Sequence, residues 1–236
     1  GDMAEDTLDY VRHDMTAPDG AFYSAEDADS LVPGGGPEKK EGAFYVYSAT
    51  EIDQLFAADA PIVRRRLGIE DNGNAPADPQ GEFAGVNIPY VAQSIEEIAA
   101  LTGRTNEDVL RVLGEMRERM YEARDARPRP HRDDKVITAW NGLMIASFAR
   151  AARVLVDSPR RDVWPDLAVA AARSVRATLW RAEGRVLLRR YRDGEAAVAA
   201  FCEDYACLSF GLLELFQATG DVEWLDWGLT LTDVQT

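Results

Sequence analysis

The stretch Asp133 to Arg150, DDKVITAWNGLMIASFAR, constrains this chain more than any other, because it joins a carboxylate-rich head to a body apolar on nearly every face. From Val136 to Ala149 only Thr138, Asn141, Gly142 and Ser147 interrupt the apolar residues, which leaves no continuous solvent face. A helix of that kind is enclosed by other elements. The pattern predicts a buried inner helix from Asp133 onwards, with Asp133 and Asp134 in its first turn, where free N–H groups and the macrodipole favour negative charge. On helical spacing Asp134, Thr138, Asn141 and Ile145 share one stripe, and Asp133, Ile137, Trp140 and Met144 share the next. Carboxylates, an indole and an amide then cluster over two turns.

The chain around it reads as mainly helical. Ala4 to Asp14 carries Leu8 and Val11 at helical spacing. A Pro-Asp-Gly turn then leads through an aromatic pair to the acids Glu26, Asp27 and Asp29. The glycine-rich run from Leu31 to Glu41 is a loop, and Gly42 to Tyr47 and Gly81 to Val91 alternate enough to suggest short strands. Capping boxes at Ser48 with Glu51 and at Ser94 with Glu97 open helices, and a further short helix covers Ile62 to Leu67. Asp71 to Gln80 is loop by composition. From Thr105 a stripe of Val109, Val112, Leu113, Met116 and Met120 marks a one-sided helix stopped by Pro128. Trp164 to Leu179 is a second one-sided helix, Gly184 to Gly194 a hairpin, Tyr205 to Phe216 another helix apolar almost all round, and Val222 to Leu229 opens a last amphipathic one.

Residues 1–104 thus form a loop-rich part and 105–236 a regular alternation of outer and inner helices. Short connections make consecutive helices antiparallel, so the inner helices run one way and their N-termini meet at one rim. That wiring predicts an α/α toroid with short β-hairpin excursions. Too few helices are present to close a ring, which suggests exposed apolar edges.

Composition narrows the function classes. With 46% hydrophobic residues over 236 positions the chain can bury a sizeable core. Its 41 acidic against 26 basic residues, a net charge of −15, argue against nucleic acid and anionic membrane surfaces. No apolar run approaches a membrane span and no basic leader with an apolar segment opens the chain, so a soluble, cytoplasmic protein is expected. Cys202 and Cys207 lie on different faces of a helix, a spacing that disfavours a mutual disulfide. His13 and His131 are the sole histidines, and there is no CxxC, HExxH or glycine-rich phosphate loop; no metal centre and no cofactor are expected.

Taken together, DGAFYSAEDADS, EGAFYVYSATEI, DDKVITAWNGLMIASFARAA and CEDYA resemble the YyaL-type family, which includes the spermatogenesis-associated thioredoxin-domain proteins of animals. The resemblance runs from about Leu8 to Leu225. It implies a thioredoxin-like domain followed by a six-hairpin toroid akin to N-acylglucosamine 2-epimerases and some glycoside hydrolases. This chain would carry the first half or more of an incomplete (α/α)6 toroid, with the thioredoxin-like domain of the full-length protein as a partner. The loop LVPGGGPEKK enlarges the family pattern between EDADS and EGAFYVY.

Two functional readings follow. In the first, Asp133, Asp134, Glu203 and Asp204 supply general acid and base to a carbohydrate, since glycoside hydrolysis needs two carboxyl groups at a defined separation. Tyr23, Trp140 and Tyr205 then offer platforms for sugar rings, and Glu26, Asp27, Asp29, Lys135 and Asn141 bind substrate. In the second, the acids are caps and dipole partners, with Lys135 neutralising one of them, and the chain is a binding or scaffold module. Carboxylates facing each other across an open, aromatic-lined pocket would mark the enzyme. Capped, paired and shielded acids would mark the scaffold.

Overall fold

A computed structural model describes residues 2–34, 36–75 and 81–235. Gly35 of the glycine-rich loop, residues 76–80 of the loop expected over Asp71 to Gln80, and Thr236 lie outside the described residues. The described chain forms two compact units, one made of Gly1–Ala25 with Arg132–Thr236 and the other of Glu26–His131. Helices dominate both. No described helix is long and apolar enough to cross a membrane.

In chain order the elements are helix α1 (Asp2–Asp14); strands β1 (Tyr23–Glu26), β2 (Asp29–Leu31) and β3 (Lys39–Glu41); helices α2 (Ala49–Phe56), α3 (Ala60–Leu67), α4 (Ile95–Thr102) and α5 (Asn106–Asp125); strand β4 (Arg132–Ile137); helices α6 (Thr138–Val154) and α7 (Trp164–Leu179); strands β5 (Trp180–Arg181), β6 (Val186–Arg192) and β7 (Glu195–Ala199); and helices α8 (Cys202–Thr219) and α9 (Val222–Gln235).

In the unit Glu26–His131, both capping boxes form as the sequence predicts. Ser48 accepts from the Glu51 amide while the Glu51 carboxylate takes the Ser48 amide, and Ser94 with Glu97 repeats the pattern. Helices α2 to α5 bury Ile52, Phe56, Ile62, Val63, Ile98, Val109 and Val112 as one core. The strands expected over Gly42 to Tyr47 and Gly81 to Val91 do not form among the described residues. Those segments are turns, joined by a single antiparallel bridge between Tyr47 and Asn87. The Asn87 amide makes that possible, because it bonds the Tyr47 and Glu70 carbonyls and takes the Glu70 amide, replacing a ladder with one buried side chain. Arg127, nearly fully buried, ties the same region by donating to the carbonyls of Phe44 and Val46 and to Glu51.

In the unit built from Gly1–Ala25 and Arg132–Thr236, α6 and α8 lie side by side and parallel. The Ala139 amide at the start of α6 bonds Asp204 at the start of α8, and Arg150 and Arg153 near the end of α6 pair with Glu214 further along α8. Their closeness depends on glycine: a Cβ on Gly142 would sit 2.4 Å from the Cys207 carbonyl oxygen, and one on Gly211 would sit 2.3 Å from that of Gly142. Helices α7 and α9 pack against this pair, with Trp164, Trp224 and Trp227 buried in the core, and Arg176 of α7 pairs with Glu223 of α9. The Pro-Asp-Gly turn docks onto α7: Gly20 adopts φ +94° against Ala170, and Asp19 accepts from the Ser174 hydroxyl.

Two expectations for the central stretch are corrected. Arg132–Ile137 is strand β4, and α6 begins only at Thr138, so Asp133 and Asp134 do not sit in a helix. Strand β4 pairs antiparallel with β6, in a sheet ordered β1-β4-β6-β5 with β7 also pairing β6. Nor is α6 enclosed all round, since Trp140, Leu143, Ser147, Arg150 and Val154 form an exposed stripe along it. On α8 the residues Glu203, Ala206, Phe210, Leu213 and Gln217 repeat that stripe. The hairpin expected over Gly184 to Gly194 is present but longer, with β6 turning through Asp193 and Gly194 into β7.

Candidate functional site

The rim where α6 and α8 begin gathers six of the expected residues, namely Asp133, Asp134, Lys135, Trp140, Glu203 and Asp204, and β6 threads two arginines between them. Alternation in β4 sends Asp133 and Lys135 to one side, where they pair at 2.9 Å, and Asp134 to the other, where it meets the Arg192 guanidinium at 2.8 Å. Arg192 also approaches Asp133 at 3.9 Å. The Asp133 carboxyl is held below the ordinary aspartate range, chiefly by its hydrogen bond from the Lys135 ammonium, while partial burial opposes that effect.

Asp204 is fully buried and its carboxylate is completely engaged. One oxygen accepts the Ala139 amide at 3.2 Å; the other accepts the Phe201 amide and the Arg189 guanidinium, each at 2.9 Å. A single carboxylate therefore satisfies orphan N–H groups at the starts of two helices and balances one arginine. Glu203, one residue earlier, faces solvent with its side chain 63% exposed and lies 3.9 Å from Arg189. Every acid of the rim thus has a cation at or near contact.

The remaining predicted residues divide by role. Asn141 is buried, its side chain accepting the Phe22 amide at 2.8 Å and donating to the Phe22 and Ile137 carbonyls, so it acts as a surrogate strand neighbour for the Phe22 segment. Tyr205 packs on the core and its hydroxyl takes the Leu187 amide. Tyr23 lies under the Arg132 guanidinium, 4.4 Å from it. Glu26, Asp27 and Asp29 belong to the unit Glu26–His131, where Glu26 accepts from the Tyr45 hydroxyl and Asp27 accepts from the Asp29 amide. Among the described residues, no group of three or more histidines, cysteines and acids is placed to hold a metal ion.

Three rim residues escaped the sequence reading: Arg189, Arg192 and Phe201. The signal for the arginines was present, because RVLLRRYRDG precedes CEDYA by only a short strand and a strand of that charge beside paired acids implies neutralisation. Phe201 stands 59% exposed with Arg189 lying 5.1 Å above its ring, and Trp140 is 49% exposed. The rim therefore presents two aromatic surfaces among balanced charges, which suits a neutral polar ligand or a helical neighbour better than a polyanion.

No family model matches the chain. Over 254 aligned residues it is 36% identical to Spermatogenesis-associated protein 20 of Homo sapiens, an alignment covering 99% of this chain and 32% of that protein. The protein of the same name in Mus musculus is 34% identical with the same coverage. An uncharacterized protein of Caenorhabditis elegans is 30% identical over 248 residues, 98% of this chain and 33% of its own length. The chain spans about a third of the length of the curated relatives it matches.

Proposed function

Because this chain belongs to the spermatogenesis-associated protein 20 family and spans about a third of its relatives' length, we propose that its α6–α9 helices form a binding and assembly module of a longer protein, with the rim acids serving the fold. The observation that carries this reading is Asp204. A carboxylate that is fully buried and bound by two helix-start amides and Arg189 is committed to holding α6 and α8 together. The exposed stripes of α6 and α8 supply the docking face: Trp140, Leu143, Phe210 and Leu213 are each at least 40% exposed on adjoining helices. Further helical hairpins of an (α/α)6 toroid would pack there, and the thioredoxin-like domain of the full-length protein is a second partner.

The experiment is a double substitution, Leu143→Glu with Phe210→Glu, in the full-length protein. A face buried by another segment should lose several kcal/mol of stability in denaturant unfolding, whereas a free surface changes by less than about 0.5 kcal/mol. The smaller change would sink the assembly reading.

A second reading is favoured by Trp140 and Phe201, exposed aromatics at the starts of α6 and α8, with the solvent-facing Glu203 in the first turn of α8. In it the rim is carbohydrate-active, with glycosidase-like or epimerase-like acid–base chemistry by Glu203 and the Asp133–Asp134 pair. Thermal-shift titration of the full-length protein with mono- and disaccharides, repeated on Trp140→Ala, discriminates the two. Sugar-specific stabilisation lost in the variant supports the carbohydrate reading; no stabilisation by any sugar supports the assembly reading.

A further inference from the structure

In the unit Glu26–His131, a cleft of about 500 Å³ opens beside the last turn of α3. That volume lies in the range of small-molecule sites. One wall is the end of α3, with Arg64 and Arg65; the facing wall is an extended strap containing Tyr90 and Gln93. The strap is pinned to the helix end, where carbonyls otherwise lack partners: Tyr90 donates to Leu67, Ala92 donates to Arg66 at 2.9 Å, and the Arg66 guanidinium returns to the Gln93 carbonyl at 2.7 Å. Gly68 closes the helix at φ +64°, and its missing side chain lets the Tyr90 ring lie within 2.3 Å of where a Cβ would stand. The cleft is therefore formed before any ligand arrives.

Its polar groups divide into satisfied and unsatisfied. Arg64 is consumed by Asp53 and Asp71, and Arg66 by the strap. Arg65, its neighbour on the wall, has no ion pair or hydrogen bond among the described residues. The Gln93 side-chain oxygen is shielded from solvent and accepts no hydrogen bond among the described residues. A guanidinium with no ion pair and an amide oxygen with no donor, both on one cleft, match a ligand that carries an anion and an N–H donor together. The lining also includes Asp53 and Glu70, which offset the two arginines and repel a dianion. A singly charged carboxylate fits where a phosphate does not.

We propose that this cleft binds a carboxylate borne next to an amide N–H, the group found at the free C-terminus of a peptide and in an N-acyl amino acid. The carboxylate takes the Arg65 fork, the Gln93 side-chain amide turns towards the cleft so that its oxygen accepts the ligand N–H, and the side chain of the ligand's terminal residue lies on the Tyr90 ring and Pro61.

The test is calorimetric titration of the 236-residue chain with N-acetyl-tyrosine, with N-acetyl-alanyl-alanyl-tyrosine and with the C-terminal amide of the latter. Saturable binding of the free acids is expected, at least about tenfold weaker for the amide and for Arg65→Ala, since a charge-assisted bidentate contact is lost. Gln93→Leu should weaken both acids while leaving the preference for acid over amide. Arg65 is exposed, so its substitution leaves the fold intact, which circular dichroism checks. Tighter binding of the tripeptide would assign the cleft to peptide ends, and equal binding to single acylated residues. Absence of saturable binding, equal binding of acid and amide, or an unchanged Arg65→Ala variant would each overturn the proposal.

Discussion

Asp204 ties the starts of α6 and α8 together through two backbone amides and one arginine. Asp204→Ala would strand the Ala139 and Phe201 amides and leave Arg189 without its contact partner, a loss of about 2–4 kcal/mol. Denaturant unfolding measures it, and a loss below about 1 kcal/mol would show that water replaces the carboxylate. Glu214, whose side chain is nearly buried, belongs to the same scale. Hydrogen bonding from Arg150 first, with Arg153 adding its charge, holds its carboxyl below the ordinary glutamate range. Its contribution is therefore fully present above the unfolded value near 4.3 and is lost as pH falls through the lower folded value. Glu214→Gln should be less stable than the parent at pH 7, with the difference shrinking below pH ~4. A gap that stays constant down to pH ~3 would contradict the pairing. Neither carboxylate was separable by sequence from its neighbours: Glu203 and Asp204 adjoin in the chain, yet one faces water and the other is sealed, because only Asp204 faces α6.

At the scale of elements, glycines report how closely helices meet. Gly142→Ala or Gly211→Ala places a methyl within 2.4 Å of backbone on the partner helix, so the pair must separate, at about 1–3 kcal/mol. Around Gly114 in α5, apart from the backbone of its own helix and its chain neighbours, no atom lies within 4 Å of where a methyl would stand, so Gly114→Ala should raise stability by about 0.5–1 kcal/mol. Thermal unfolding of the three variants checks both signs together. The amphipathic helices α5 and α7 and the capping-box helices α2 and α4 were legible in the sequence, since each is specified by its own periodicity or its own cap. Strand β4 was not. Its residues DDKVI run into α6 with no break in apolar pattern, and what makes them extended is pairing with Tyr191 and Arg190, some fifty residues later in the chain.

At the scale of the whole molecule, two parallel helices expose matching stripes of large apolar side chains. The 236-residue chain alone should associate with rising concentration, and Leu143→Glu with Phe210→Glu should keep it monomeric in sedimentation velocity. A chain that stays monomeric at high concentration would mean that the stripes are too small to drive contact. The acidic excess, the mainly helical content, the capping boxes of α2 and α4 and the one-sided apolar stripes of α5 and α7 were set by the sequence itself, because each depends on residue type and local spacing. Which acid is buried, which arginine neutralises it, where α6 begins and which face of it stays bare were decided only by the tertiary structure. Those properties depend on partners distant in the chain, and a one-dimensional pattern holds no record of what lies across from it.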